Sequence, residues 1–326
     1  MPVSQNILSF IDQLPDPPGA ERFIERLFED LPSRADNWAK DARFFSNLLT
    51  LAAYSPWLAQ TMLQQPDDID WLKRERNLQS VKTKEQMLEE LARFVSRQFQ
   101  LSEQVALARF KRRELLRIYL RDCLRFATLT ELTEDLSNLA DTFLEHALNV
   151  CHQRLSKRFG LPLVTDARGR ATTAEFAIIA LGKLGSRELN YASDIDLMFI
   201  YSEEGRTAGD GHDPESSITN REFFVKLSEN IAQLIGQASG EGAVYRTDFR
   251  LRPNGGIGLL AYSLSEFIRY YEGPAQNWER QALIKARCAA GSVGLVANFL
   301  STVSPAIYKT EPLAEALRDV RIAKDK

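Results

Sequence analysis

Long apolar runs are missing from this chain. No stretch approaches the roughly 18 consecutive apolar residues that mark a bilayer-spanning helix. The opening residues, Met1-Pro2-Val3-Ser4-Gln5-Asn6, lack the basic and apolar segments of an export signal, so neither secretion nor membrane insertion is expected. Cysteine is scarce: Cys123, Cys151 and Cys288 lie far apart and form no CxxC pair, which argues against structural zinc or a disulfide framework and fits a reducing cytoplasm. Excess charge of one sign is also absent. Lys plus Arg is 41 against 44 for Asp plus Glu, a net charge of −3, so nothing draws the whole chain to nucleic acid or an anionic membrane, and any anion site must be local. His146 and His152 are six residues apart, not the i, i+4 spacing that puts two ligands on one helix face, and read as structural or exposed. No internal repeat or low-complexity tract is evident.

What is present is ordinary for a globular protein: 326 residues, 44% hydrophobic and 26% charged, enough for two or three domains. From about Ala20 to Gly160 apolar residues recur at three- and four-residue intervals, the period of packed helices. Punctuation falls at Pro32-Ser33, Ser55-Pro56, Gln65-Pro66-Asp67-Asp68 and Thr128. Ser55-Pro56 has the form of an N-cap followed by proline at the first helical position. At Gly160-Leu161-Pro162 the texture changes to short apolar runs between turns. Strands are expected over Ala174 to Gly182, Asp194 to Tyr201 and Gly242 to Arg252, a helix over Asn220 to Gln237, and a surface loop over Ser202 to Ser217. Helical texture returns over Ser263 to Glu272, Pro274 to Arg287 and Val293 to Thr302. The expected fold class is α+β, mostly helical, with a helical domain over 1–160, a catalytic core over 161–262 and a helical flank over 263–326. The chain stops within a charged, helix-compatible segment, as a fragment of a longer protein does.

Between Leu101 and Phe126, Arg109, Arg113, Arg117, Arg121 and Arg125 recur every four residues, a basic stripe winding slowly around a helix. Such a stripe either meets an acidic partner or a phosphate, or is a solvated face paired with Glu114 and Asp122; charged helix faces are usually the latter.

The chemistry concentrates further on. The apolar run Phe176 to Leu181 enters a glycine-bearing turn, and a second run follows in which Asp194 and Asp196 alternate with Ile195 and Leu197. On a strand the two aspartates share one face, an arrangement that calls for a cation between them. Gly185 and Ser186 lie just upstream, where backbone N–H groups and a hydroxyl can approach phosphate oxygens. In the string from Val244 to Arg252, period-two alternation puts Arg246, Asp248, Arg250 and Arg252 on one face, adding a third carboxylate beside guanidinium groups suited to phosphate. The combination fits metal-dependent phosphoryl or nucleotidyl transfer. Asp194, Asp196 and Asp248 are the candidate metal ligands and catalytic residues, with Asp248 alternatively the base for the attacking oxygen. Gly185, Ser186, Arg250, Arg252 and Lys183 are candidates for phosphate or nucleotide binding, and Mg²⁺ is the expected cofactor. Arg280, Lys285 and Arg287 are either further phosphate or protein contacts or ion-paired surface bases, and Trp278 reads as core packing.

Gly185-Ser186 followed by Asp194-Ile195-Asp196 resembles the signature of the nucleotidyltransferase superfamily typified by DNA polymerase beta. The strings Gly182 to Asn190, Ser193 to Leu197, Tyr245 to Gly255 and Trp278 to Arg287 are similar to the glutamine synthetase adenylyltransferase family, whose members carry two such modules. This chain resembles the amino-terminal, adenylyl-removing one. The resemblance implies a polymerase-beta-like mixed sheet flanked by helices and Mg²⁺-dependent phosphorolysis of adenylyl-tyrosine on glutamine synthetase, with inorganic phosphate in and ADP out. It also implies response to the PII signal protein and to glutamine, and the cysteine, charge and hydropathy readings above set it in the cytoplasm with no role for nucleic acid or membrane. ATP-dependent adenylylation and a non-catalytic module that docks PII or glutamine synthetase are the alternatives. Many members have a second glycine at the position of Ser186, and the superfamily accepts serine there.

Overall fold

The computed structural model describes residues 5–74, 78–209 and 216–308, and the charged terminal segment expected to be helical lies outside them. Nine helices open the described chain: α1 (Gln5–Ile11), α2 (Pro17–Asp30), α3 (Pro32–Ala39), α4 (Ala42–Tyr54), α5 (Pro56–Gln64), α6 (Pro66–Leu72), α7 (Lys84–Arg97), α8 (Glu103–Cys123) and α9 (Leu129–Phe159). Proline stands in the first turn of α2, α3, α5 and α6, where its missing N–H has no intrahelical partner to lose and its fixed φ is already helical. Ser55 caps α5, its hydroxyl accepting from the Leu58 N–H, as the Ser55-Pro56 pair predicted.

The chain divides into two compact units, one of Met1–Thr83 with Arg109–Asp135, the other of Lys84–Ala108 with Leu136–Lys326. Helices α8 and α9 each run unbroken from one unit into the other, and the length of α9 from Leu136 onward belongs with the sheet.

The first unit closes on an apolar core that includes Trp38, Phe45, Leu48, Leu58, Met62, Ile69, Leu116 and Leu120. Its surprise is in the middle of the arginine stripe, which is not a solvated face. Arg117 and Arg121 are fully buried. Arg117 donates from Nε to Glu114 Oε2 at 2.9 Å and from Nη2 to Asp135 Oδ1 at 2.7 Å. Arg121 pairs with the same Asp135, and Lys82 reaches Glu114 at 2.9 Å. Burial alone would raise the Glu114 carboxyl, but Arg117 and Lys82 outweigh it and hold the group below its ordinary range. Arg125 lies past the end of α8 with φ of 54° and is exposed. Four-residue spacing placed the basic groups on one side of a helix; it carried no information that Asp135, on the next helix, would pair with two of them.

In the second unit the strands are β1 (Pro162–Thr165), β2 (Ala171–Thr173), β3 (Phe176–Ala180), β4 (Ile195–Tyr201), β5 (Arg206–Thr207), β6 (Thr247–Asp248), β7 (Ala261–Ser263) and β8 (Arg287–Gly291). Between them lie α10 (Gly182–Gly185), α11 (Asn220–Gly236), α12 (Leu264–Glu272) and α13 (Asn277–Ala282), and α14 (Val293–Ile307) follows β8. β2, β1 and β5 form a small antiparallel sheet. The main sheet runs β6-β4-β3-β8, antiparallel across β4–β3–β8, while β6 and β7 both pair with β4 in parallel. The fold is α+β and mostly helical with a mixed sheet, as expected. β3 is buried on both faces, and β4 nearly so, which explains their unbroken apolar runs. One core cluster covers the sheet with Phe267, Tyr271, Leu295, Phe299 and Val303 from α12 and α14.

Three expectations change. The strand expected over Gly242 to Arg252 shrinks to Thr247–Asp248, because the chain turns immediately after Asp248. The helix expected over Pro274 to Arg287 ends at Ala282, with a short 3-10 turn over Leu283–Lys285, and Arg287 begins edge strand β8 instead. The expected loop from Ser202 includes β5, and its residues 210–215 lie outside the described residues.

Candidate active site

β3 delivers the chain to Leu181, whose N–H donates to the Asp196 carbonyl at 3.0 Å. The next residue, Gly182, has φ of +54°, and a Cβ there would lie 2.4 Å from Asp196 Oδ2. Only glycine fits, for both reasons: the left-handed backbone and the carboxylate pressed against it. On the other side of Asp196, the parallel pairing of β4 with β6 makes Asp196 and Asp248 register partners, one step after Ile195 and Thr247. Side chains of register partners leave the sheet on the same face, so two carboxylates stand on neighbouring strands. Asp194, just before β4, is more exposed.

The electrostatics report the same proximity. Asp196 is half-buried, and its carboxyl is raised by burial first and then by the charges of Asp248 and Asp194, with Arg250 and Lys183 acting the other way. Asp248 is lowered, chiefly by hydrogen bonding from the Arg250 side chain. Arg250 donates to it from Nη2 at 2.5 Å and from Nε at 2.8 Å, and its backbone N–H adds a bond at 2.8 Å. Arg246 pairs with Asp194 at 2.6 Å. Both guanidinium groups project into solvent, at 84% and 75% exposure, so these pairings are of the weakly held surface kind and can open.

The donor set suits a hard divalent cation, which takes carboxylate oxygens and tolerates water for its remaining positions. The observation in favour is the register that sets the Asp196 and Asp248 carboxylates side by side on neighbouring strands. As the side chains stand, no group of three or more Asp, Glu, His or Cys among the described residues closes into a ready cage; Arg246 and Arg250 hold two of the three carboxylates.

Comparison with known proteins bears on what such a site is for. The family model described as glutamate-ammonia ligase adenylyltransferase matches residues 45–302. The chain belongs to this family. Relatives named bifunctional glutamine synthetase adenylyltransferase/adenylyl-removing enzyme include those of Hahella chejuensis, 30% identical over 91% of this chain and 30% of the relative, and Pseudomonas aeruginosa, 37% identical over 67% of this chain and 22% of the relative. The Haemophilus ducreyi protein of the same name is 34% identical over 76% of this chain and 26% of the relative. The chain therefore spans less than a third of the length of these relatives.

The other basic candidates divide by partner. Lys183 is exposed beside Asp196. Arg252, in contrast, is turned inward and donates to the carbonyls of Phe249, Gly256, Gly258 and Leu259, so it ties the turn after the site together. Arg280 likewise donates to the Tyr271 and Gly273 carbonyls. Gly185 is buried against the Lys285 carbonyl, which a Cβ would approach to 2.0 Å. Ser186 Oγ lies 2.7 Å from Glu188 Oε2, and Lys285 Nζ reaches the same oxygen at 3.0 Å. Trp278 is 38% exposed and not core. His146 faces Glu103, and His152 packs edge-on to Phe223, both away from the aspartates in role.

Sequence reasoning missed Gly182 as the residue that admits Asp196; its signal was a glycine directly after a buried strand. It also missed Asn138, Asp141 and Glu145 of α9, which contact the loops and strand edge around the site. Nothing in their local pattern distinguishes them from other polar positions on a helix.

Proposed function

We propose that this chain is an adenylyl-removing module: it transfers AMP from an adenylyl-tyrosine of glutamine synthetase to inorganic phosphate. A phosphate oxygen bonds to the adenylyl phosphorus, the bond from phosphorus to the tyrosine oxygen breaks, that oxygen takes up a proton, and ADP leaves. The reading is carried by the register of Asp196 with Asp248 beside the exposed guanidinium of Arg250. Asp194, Asp196 and Asp248 would hold Mg²⁺. Bound there, the ion would offset the negative charge gathered at the reacting phosphorus. Arg250, Arg246 and Lys183 supply fixed positive charge around an incoming phosphate dianion, and Gly182 leaves room for the carboxylate of Asp196. Gly185 and Ser186 shape the turn that precedes the site. Glutamine synthetase as substrate, and PII and glutamine as effectors, belong to the same proposal, as does a cytoplasmic setting. Among the described residues no helix is long and apolar enough to cross a membrane.

The relatives' printed names carry both activities, so ATP-dependent adenylylation is the second reading. One assay separates them. The chain is given Mg²⁺ and either adenylylated glutamine synthetase with phosphate or the unmodified protein with ATP. ADP release in the first arm, lost in Asp196→Asn, is the expected result. AMP transfer only in the second arm would reverse the direction, and turnover in neither would leave a docking module.

A further inference from the structure

Helix α9 presents three polar side chains of one face, at i, i+3 and i+7, to the segments that build the site. Asn138 accepts from Arg187 Nη1 at 2.8 Å. Asp141 takes both ends of the Arg287 fork, at 2.6 and 3.0 Å. Glu145 accepts from Lys84 at 2.7 Å and from the Gly291 N–H at 3.3 Å. The Asp141 pair is the most enclosed, with side-chain exposures of 3% and 18%. Arg287 does not stop at Asp141. Its Nε and Nη2 also donate to the Leu184 carbonyl, at 3.1 and 2.9 Å.

Leu184 lies in α10, the one-turn segment that starts at Gly182, and Gly182 is the residue against which the Asp196 carboxylate rests. Arg187, held by Asn138, closes the same segment in a left-handed conformation with φ of 58°, which a side-chain-bearing residue adopts only when its surroundings impose it. The segment from Gly182 to Arg187 is thus gripped from α9 at two points, once directly and once through Arg287.

We propose that Asp141, acting through Arg287, is a positioning residue of the active site: the pair fixes the Gly182–Gly185 turn and so sets the Asp196 carboxylate for cation binding. The inference rests on the functional reading above, since it gives Asp196 a cation to hold. A carboxylate that accepts a bidentate arginine offers both charge and planar orientation, and outer partners that orient a metal-holding carboxylate are worth about 10- to 100-fold in metal affinity.

The test uses Mn²⁺ as the probe, its binding followed by electron paramagnetic resonance on the full chain, beside the rate of phosphate-dependent ADP release and the thermal midpoint. Asp141→Asn and Arg287→Ala are each expected to weaken Mn²⁺ binding about tenfold, and the double variant no further than either single, because the two act as one unit. Arg287→Lys keeps the charge but cannot hold Asp141 and the Leu184 carbonyl together, so it should lose Mn²⁺ affinity with its thermal midpoint near that of the parent. It carries the test should Asp141→Asn fold poorly. Wild-type Mn²⁺ affinity in Arg287→Lys and Asp141→Asn, or additive losses in the double variant, overturns the proposal provided Asp196→Asn has lost the ion. Unimpaired Mn²⁺ binding in Asp196→Asn instead overturns the functional reading itself.

Discussion

Asp196 and Asp248 are register partners in the parallel pairing of β4 with β6. Two strands far apart in the chain thereby set two carboxylates side by side at the β6 edge of the sheet. Burial and the charge of its partner raise Asp196, while Arg250 lowers Asp248, so the two acids are held in different electrostatic states on one face.

The close approach of Gly182 to Asp196 makes Gly182→Ala a sensitive probe. The left-handed backbone should cost on the order of 1–2 kcal/mol in stability. The added methyl also displaces the carboxylate, and a displacement of that kind costs about 10²-fold in rate. Gly240→Ala, where a Cβ meets nothing within 4 Å, is the control, expected to leave urea midpoint and ADP release unchanged.

Arg250 and Arg252 are two residues apart but should fail differently. Arg250→Ala removes an exposed cation beside Asp248 and should slow ADP release with an unchanged melting temperature. Arg252→Ala strips donors from four main-chain carbonyls, and should lower the melting temperature, at about 1–3 kcal/mol for the polar groups left without donors. A melting temperature that drops in Arg250→Ala and not in Arg252→Ala would contradict this division.

In the first unit, Asp135→Ala leaves Arg117 and Arg121 buried without their shared counter-charge. Denaturant unfolding should show a loss of about 3–5 kcal/mol. Glu89→Ala, which breaks an exposed i, i+4 pair with Arg93, should change stability by less than about 1 kcal/mol.

Asp68 supplies a pH dependence. Burial, with the charges of Asp67 and Glu114 adding to it against Arg113, pushes its carboxyl up to about 7. A raised folded-state value means that the native chain holds the proton while the unfolded chain has released it. Stability from this group is fully present below its ordinary carboxylate value of 3.8 and is lost as pH rises toward about 7. Asp68→Asn should therefore flatten the stability profile between those two values and raise the urea midpoint at pH 8. A profile as steep as the parent's would assign the slope to other groups.

By itself the sequence determined the elements whose cause is local. Proline and serine at helix starts, period-two alternation at Asp194 and Asp196, and unbroken apolar runs for the buried strands follow from backbone geometry within a few residues. That was enough for an α+β class and for naming the three aspartates as candidates. Tertiary structure decided what depends on residues distant in the chain. Alternation put Arg250 and Arg252 on one face, yet a turn after Asp248 sends one to solvent and the other into main-chain carbonyls. Spacing gave α8 a basic stripe, and Asp135 turned two of its arginines into a buried network. Polar positions on α9 became supports of the site only because Arg287 of β8 reaches from Asp141 to the Leu184 carbonyl of α10. A side chain's partner across the fold is set by packing, and no periodicity within one segment encodes it.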